Sequence, residues 1–259
     1  MRKRVLVLDF DGVIADSRYE GFLTAQITYN KFFANGVFSN KELSFKNYIK
    51  NLNKNQKIKN KLIKLRNYLE EGHDWLVMIK IINSNINIRN FEEFKEYKKK
   101  VPHDKKLHQA FRKTRRDFIK NHFNQWASLT PLFEFGEKLP ELEKYFDIYV
   151  STKNTTDTVV KVLKKSKISI HPHCIYDAKN GKNKAEQIKK IKAKTGSAYK
   201  DIIFIDDQVT HLLKAKNLGI KCCLPLWGYV NKKQIENAKK SRFLLLKEKN
   251  AVNQLLDIR

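Results

Sequence analysis

The feature that most constrains the fold is an apolar run, Val5 to Leu8, followed at once by two aspartates and a glycine. A short Val- and Leu-rich run bounded by a turn signal predicts a buried strand. Asp9 and Asp11 then stand at the carboxyl end of that strand, where open α/β sheets bind their ligands. Gly12 can adopt backbone conformations that other residues disfavour, which allows the chain to turn from the strand into a loop. The pair predicts a metal-assisted carboxylate site; the alternative is a strand end followed by an ordinary acidic turn.

Later segments of the chain repeat this pattern and argue against the ordinary turn. Two further apolar strands are predicted to end in polar side chains: residues 146–152 in Ser151 and Thr152, and residues 201–207 in Asp206 and Asp207. Between them, Lys182 and Lys184 stand at the start of an amphipathic helix. Three strands therefore place different polar groups at the same end of a sheet, and a lysine enters from a helix start.

With this arrangement the chain resembles the haloacid dehalogenase (HAD) superfamily of phosphohydrolases. The resemblance covers residues 1–17 and roughly 130–228, and it follows the superfamily's four motifs in order: Asp9-Phe10-Asp11-Gly12-Val13, then Ser151, then Lys184 or Lys182, then Asp206-Asp207. It implies an α/β fold, a doubly wound parallel, Rossmann-like sheet with an inserted alpha-helical cap of the first cap class.

The resemblance also implies roles for the motif residues. Asp9 would be the nucleophile, and Asp11 would protonate the leaving oxygen and then activate water. Mg²⁺ would be held by Asp9, by the backbone carbonyl of Asp11 and by Asp207, with Asp206 as a second acid. Ser151 would hydrogen-bond a phosphoryl oxygen, and a lysine would neutralise another.

The choice of lysine stays open between two positions. Lys184 is preferred because it directly precedes the apolar helix face that contains Ile188 and Ile191. Lys182 follows Gly181, as in the superfamily's common Gly-Lys version. The superfamily often has an aspartate where this chain has His211, and we interpret that histidine as structural.

Four further residues are candidate substrate contacts: Gly12, Thr152, Arg112 and Arg116. The two arginines lie four residues apart and share a helix face. A guanidinium grips phosphate or carboxylate in a planar, bidentate geometry, so one of them could reach a second anionic group of the substrate. The alternative is a solvated basic helix face.

The motif positions predict two domains, a core of residues 1–17 and 130–259 and a helical cap of residues 18–129. Apolar spacing predicts helices over 20–34, 41–52, 56–71, 74–84, 91–99 and 104–127, with Asp74 as an N-cap. Residues 137–145 are predicted to form the helix before the second core strand, and the tail from residue 231 is predicted to be partly helical.

Composition bears on location and partners. No run of about 18 apolar residues exists, so no membrane span is expected, and the short apolar run after Met1 is unlike a signal peptide. The three cysteines have no metal-binding spacing and are expected to be reduced and buried, as in a cytoplasmic protein. The net charge of +26 is mostly lysine spread along the chain, which we attribute to genome composition. A dedicated nucleic-acid surface is the less favoured explanation.

The leading hypothesis is a Mg²⁺-dependent phosphatase that hydrolyses a small phosphorylated molecule through an aspartyl-phosphate. A second is a phosphatase acting on nucleic-acid ends, or a phosphomutase, with the same fold. A third is a catalytically idle HAD-like binding or scaffold protein. The sequence does not choose the substrate or the oligomeric state.

Overall fold

The computed structural model describes residues 3–33 and 36–258, and the chain forms two compact units. One unit comprises Met1–Asp16 and Pro131–Arg259, and the other comprises Ser17–Thr130. The assignment of these units as a catalytic core and a cap stays a prediction. Its predicted bounds are 1–17 and 130–259 for the core and 18–129 for the cap.

A six-stranded, fully parallel sheet is the framework of the first unit, with strand order β3-β2-β1-β4-β5-β6. The strands are β1 (Arg4–Leu8), β2 (Phe146–Ser151), β3 (Ile175–Tyr176), β4 (Ile202–Ile205), β5 (Lys221–Pro225) and β6 (Leu244–Leu246). Leu6 pairs with Ile148 on one side and with Ile203 on the other, so β1 is central. The predicted α/β fold with a doubly wound parallel sheet is confirmed.

Among the described residues of this unit, seven helices connect or flank the strands. They are α8 (Glu134–Glu137), α9 (Leu139–Leu142), α10 (Thr156–Lys165), α11 (Lys184–Thr195), α12 (Val209–Lys216), α13 (Lys232–Lys240) and α14 (Ala251–Leu256). Short 3₁₀ turns occur at Pro172–Cys174, Ala178–Asn180, Tyr199–Asp201 and Glu248–Asn250. Apolar side chains of α11 and α12, including Ile188, Ile191 and Leu212, are fully buried in the core cluster that contains Val5 and Phe204.

Two details of this unit differ from the predictions. The helix expected over 137–145 is two short helices, because Pro140 has no N–H with which to continue α8 into α9. The tail, expected to be partly helical, also adds the edge strand β6, whose Leu244 pairs with Cys223. A three-residue strand is too short to show the alternation that predicts a strand.

The second unit is helical. Its helices are α1 (Arg18–Phe32), α2 (Phe45–Lys54), α3 (Gln56–Arg66), α4 (Asp74–Asn83), α5 (Phe91–Lys100), α6 (Lys105–Asn121) and α7 (Phe123–Ser128). Residue 34, the predicted end of the first helix, lies outside the described residues. The long helix expected over 104–127 is broken at His122, which is the C-cap of α6 and the N-cap of α7.

The N-cap predicted at Asp74 is wrong. His73 occupies that position, and Asp74 is the first residue of α4. The Asp74 carboxylate accepts hydrogen bonds from the backbone N–H groups of Glu70 at 2.8 Å and Glu71 at 3.0 Å, and it pairs with Lys98 at 2.7 Å. A carboxylate in the first turn still complements the helix dipole.

Within the part of the chain that the structure describes, no helix is both long and apolar enough to cross a membrane. The cysteines are free, as expected, with Cys222 and Cys223 buried and Cys174 half-buried. Burial raises the pKa of the Cys222 thiol to about 12, so this group is unreactive at neutral pH.

Candidate active site

The carboxyl end of β1 places Asp9 in a buried, charged setting. The backbone N–H of Asp9 donates to the carbonyl of Ile205 at 2.9 Å, which ties the residue to β4. Its carboxylate oxygen Oδ1 accepts the N–H of Phe10 at 2.7 Å and the ammonium of Lys184 at 2.7 Å. Burial raises the pKa of Asp9 to about 6, although Lys184 opposes the shift.

The start of helix α11 supplies the cation beside Asp9. Lys184 is the first residue of the helix and is only 5% exposed. Asn183 caps the helix by accepting the N–H of Glu186 at 3.0 Å. The Lys184 ammonium also donates to the carbonyl of Ser151 and lies 3.9 Å from Asp206 Oδ2. Lys182, by contrast, is an exposed loop residue, so the structure brings Lys184 to Asp9.

The two hydroxyl residues at the end of β2 are fully buried. The hydroxyl of Ser151 donates to Gln187 Oε1 at 2.5 Å. Thr152 Oγ1 accepts the N–H of Asn154 at 3.0 Å, and the Thr152 carbonyl accepts from Gln187 at 3.3 Å. In this arrangement the Ser151 proton is engaged by Gln187, so contact with a phosphoryl oxygen requires exchange of that hydrogen bond.

The loop after β1 orients Asp11. Asn154 Nδ2 donates to Asp11 Oδ2 at 2.8 Å. The other oxygen, Oδ1, is buried and has no hydrogen-bond partner in the described structure. A buried acceptor without a partner is unusual in a native fold and suggests that a ligand or proton completes it. Gly12 then turns the chain with φ +84°, a conformation that favours glycine.

The adjacent acids after β4 have different neighbours. Asp206 is fully buried and accepts from His211 Nδ1 at 3.0 Å and from the N–H of Gln208 at 2.8 Å. Burial alone would raise the pKa of Asp206, but His211 and then Lys184 offset this, and the pKa is lowered.

Asp207 faces the loop of the first motif. Its Oδ2 accepts the N–H of Tyr229 at 3.1 Å. A Cβ atom built on Gly12 would meet that same oxygen and would lie 2.7 Å from Asp207 Cγ. The carboxylate therefore lies directly against the Gly12 backbone.

Three of these side chains approach each other closely enough to share a cation. One possible ligand atom from each of Asp9, Asp206 and His211 lies within 4.8 Å of the others. The interpretation of His211 as structural stays a prediction, and its Nδ1 hydrogen bond to Asp206 at 3.0 Å is compatible with it. Asn154, Gln187 and Tyr229 were missed by sequence reasoning, because none of them belongs to a recognisable motif.

The two predicted arginine contacts lie in the helical unit. Arg112 and Arg116 are exposed on α6. Arg115, between them, pairs with the buried Glu20 through Nη2–Oε1 at 2.7 Å, and Trp126 donates to the same carboxylate at 3.0 Å. The assignment of Arg112 and Arg116 as substrate contacts stays a prediction.

Comparison with known proteins agrees with this fold. The family model for haloacid dehalogenase-like hydrolases matches residues 80–224, which is more than half of the chain. The chain therefore belongs to the haloacid dehalogenase-like hydrolase family. The matched segment includes Ser151, Lys184 and the Asp206-Asp207 pair, whereas Asp9 and Asp11 precede it. No curated protein sequence matches the chain.

Solved structures with the same fold cover nearly the whole chain. A haloacid dehalogenase-like hydrolase from Streptococcus pneumoniae is 17% identical, with a TM-score of 0.62 and 98% coverage of each chain. A predicted phosphatase from Clostridium acetobutylicum is 16% identical, with a TM-score of 0.59, covering 99% of this chain and 100% of that one. A predicted phosphoglycolate phosphatase from Haemophilus somnus is 12% identical, with a TM-score of 0.63, covering 98% and 99%.

Proposed function

We propose that this hydrolase is a Mg²⁺-dependent phosphatase that acts on a small phosphorylated substrate through an aspartyl-phosphate at Asp9. The observation that carries the proposal is the buried contact of 2.7 Å between Asp9 and Lys184, beside an Asp11 whose Oδ1 has no partner. A nucleophile, a cation and an available acid–base group are what phosphoryl transfer to a carboxylate needs. Two of the similar structures are described as predicted phosphatases.

The acids around the strand ends suit a hard divalent cation, because Mg²⁺ prefers oxygen ligands and is held by one or two carboxylates. We assign it to the Asp9 carboxylate, the Asp11 carbonyl and Asp207, with Asp206 as the second acid. We favour Asp207 for direct contact because its carboxylate lies against the Gly12 backbone, in the loop that carries Asp11. When bound, the ion neutralises charge between the carboxylates and the phosphate dianion.

The residues then divide the reaction between them. The Asp9 carboxylate attacks phosphorus, and the P–O bond to the leaving group breaks while Asp11 donates a proton to that oxygen. Asp11 next takes a proton from water, which attacks the aspartyl-phosphate and releases inorganic phosphate. Asn154 holds one oxygen of Asp11, so that the other faces the reacting groups. Gly12 and Thr152 contribute the backbone around the phosphoryl group, and Lys184 and Ser151 bind its oxygens.

The helical unit has the role of a cap in this proposal, and Arg112 and Arg116 are its candidate substrate contacts. Enclosure of a site excludes water and selects the leaving group. The substrate panel that tests the proposal should contain phosphorylated metabolites and 5′- and 3′-phosphorylated oligonucleotides, because the alternative hypothesis concerns nucleic-acid ends.

The decisive experiment compares Asp9→Asn with Asp157→Asn. Asp157 is exposed on α10 and pairs with Lys161 on the surface, so its loss should leave turnover unchanged. With an aryl phosphate and Mg²⁺, Asp9→Asn should lower kcat by on the order of 10⁴-fold or more, as loss of a nucleophile does in other enzymes. Mass spectrometry of the rapidly quenched wild type should detect one phosphoryl group on the peptide that contains Asp9.

Retained turnover in Asp9→Asn would contradict the proposed nucleophile. Turnover that is insensitive to a chelator, with Mg²⁺ restoring nothing, would contradict the metal assignment. Absence of any turnover across the whole panel would favour the idle binding protein.

A further inference from the structure

A cavity of about 210 Å³ lies within the sheet-containing unit, next to the proposed reaction site. Its lining includes four lysines and a histidine, and no carboxylate residue: Lys153, Lys182, Lys184, Lys214 and His211. Thr152 also lines it. Cavities walled by one sign of charge focus the electrostatic field and concentrate ligands of opposite sign. The chemistry of this cavity therefore favours an anion.

Three of the lysines that line the cavity form no ion pair in the described part of the chain. Lys153, Lys182 and Lys214 are exposed, and their ammonium groups form no ion pair or hydrogen bond with any described residue. Some surface lysines are paired, as Lys161 is with Asp157 at 2.8 Å, and what distinguishes these three is their convergence on one cavity. Convergence of three unpaired ammonium groups on one cavity is unfavourable unless a counter-charge binds there.

The start of α11 adds to the same field. Asn183, Lys184 and Ala185 line the cavity, and the helix has 12 residues. The N-terminus of a helix carries partial positive charge and unpaired backbone N–H groups, which favour anions. The helix and the lysines therefore point to the same class of ligand.

The cavity shares lining residues with the proposed reaction site. Lys184 belongs to its lining and also contacts Asp9 at 2.7 Å. Thr152, another lining residue, directly follows Ser151 at the end of β2. Lys184 and Thr152 thus connect the cavity with the residues that would bind a phosphoryl group at Asp9.

We propose that this cavity is a second anion subsite, so that the substrate carries two anionic groups, one hydrolysed at Asp9 and one held by Lys182 and Lys214. The inference rests on the proposed function and adds the substrate class: a bisphosphate or a phosphorylated carboxylate. In both classes the second group is a small anion that can accept several hydrogen bonds from ammonium groups.

The test measures binding without turnover, in the Asp9→Asn background, by calorimetry at fixed ionic strength. Two matched probe pairs separate the anions: fructose 1,6-bisphosphate against fructose 6-phosphate, and 3-phosphoglycerate against glycerol 3-phosphate. In each pair only the second anionic group differs. The pair with the larger affinity difference identifies phosphate or carboxylate as the second group.

The variants are Lys182→Ala, Lys214→Ala and the double variant. Each single change should lower affinity for the preferred doubly anionic probe about tenfold, equivalent to about 1.4 kcal/mol, and the double variant about 100-fold. Affinity for the singly anionic partner should change much less. Lys164→Ala removes an exposed lysine outside the cavity and should change neither. The Lys182→Arg, Lys214→Arg double variant should restore the preference, because both charges are kept.

A double alanine variant that remains folded and keeps the wild-type preference between the probes would overturn the subsite. Equal binding of both members of each pair by the parent would overturn it too. Failure of the phosphatase proposal would look different, since the wild type would then bind the doubly anionic probe through these lysines and release no phosphate from it.

Discussion

Gly12 offers the sharpest test of how the loop after β1 positions the acids. It has φ +84°, and a Cβ atom there would lie 2.7 Å from Asp207 Cγ and 2.9 Å from Tyr229 Cδ2. Gly219 is a matched control, because its φ is +79° and a Cβ atom there would have no heavy atom within 4 Å. Gly219→Ala therefore reports the backbone strain alone, and Gly12→Ala reports the strain and the collision.

The expected magnitudes differ clearly. A non-glycine residue in the left-handed region costs about 1–2 kcal/mol, which is the whole effect expected for Gly219→Ala. Asp207 and Tyr229 are only 2% and 3% exposed, so neither can move into solvent freely. Overpacking of this kind costs about 1–3 kcal/mol more, and Gly12→Ala should lower the free energy of unfolding by about 2–5 kcal/mol.

The two variants should also differ in activity. Relief of the collision must displace the Asp207 carboxylate or the loop that holds Asp11, and a displacement of about 1 Å costs roughly 10²-fold in rate. Urea unfolding and aryl phosphate turnover, measured on both variants, check these values. If Gly12→Ala is no less stable than Gly219→Ala and retains its kcat, the close approach of Asp207 to this loop is wrong.

Two further predictions concern buried charges. Arg115→Ala should lower the free energy of unfolding by about 3 kcal/mol, because it leaves Glu20 buried without its cation. The control Arg116→Ala, at an exposed position, should change the free energy of unfolding by less than about 0.5 kcal/mol. Urea denaturation of both variants checks this, and equal effects would contradict the buried pair. In the metal-free protein Asp9 should titrate near 6 by carboxyl ¹³C NMR, with Asp9→Asn identifying the resonance, and Mg²⁺ should lower that value. Because the pKa of Asp9 is higher in the folded than in the unfolded protein, Asp9 contributes stability that is fully present below pH 3.8 and is lost as the pH rises through about 6. A pKa near 4 for Asp9 in the metal-free protein would contradict the claim that burial raises it.

Much of the fold followed from local patterns. The apolar run before Asp9 predicted a buried strand, and Val5 to Leu8 are indeed fully buried. Strands that end in acids or hydroxyls predicted polar groups at one end of the sheet, and the parallel pairing of β1 with β2 and β4 brings those strand ends together. Period-based reasoning fails for short elements, and it missed β6 for that reason.

The arrangement of the polar side chains was less accessible from sequence. Lys182 and Lys184 precede the same helix, and only the start of that helix at Lys184 decides which ammonium reaches Asp9. Arg112, Arg115 and Arg116 form one cluster in the sequence, yet Arg115 pairs with Glu20, 95 residues away. No local rule encodes a contact of that separation.

The sequence by itself determined the fold class, the family and the group of residues that meet at the strand ends, because strand polarity and motif order depend on local chemistry. The tertiary structure decided how those residues are paired. Asp206 directly follows β4, whereas Asp207 lies at the bend where the chain leaves the sheet, so the two adjacent side chains face different neighbours. One acid therefore meets Lys184 and His211, and the other meets Gly12 and Tyr229.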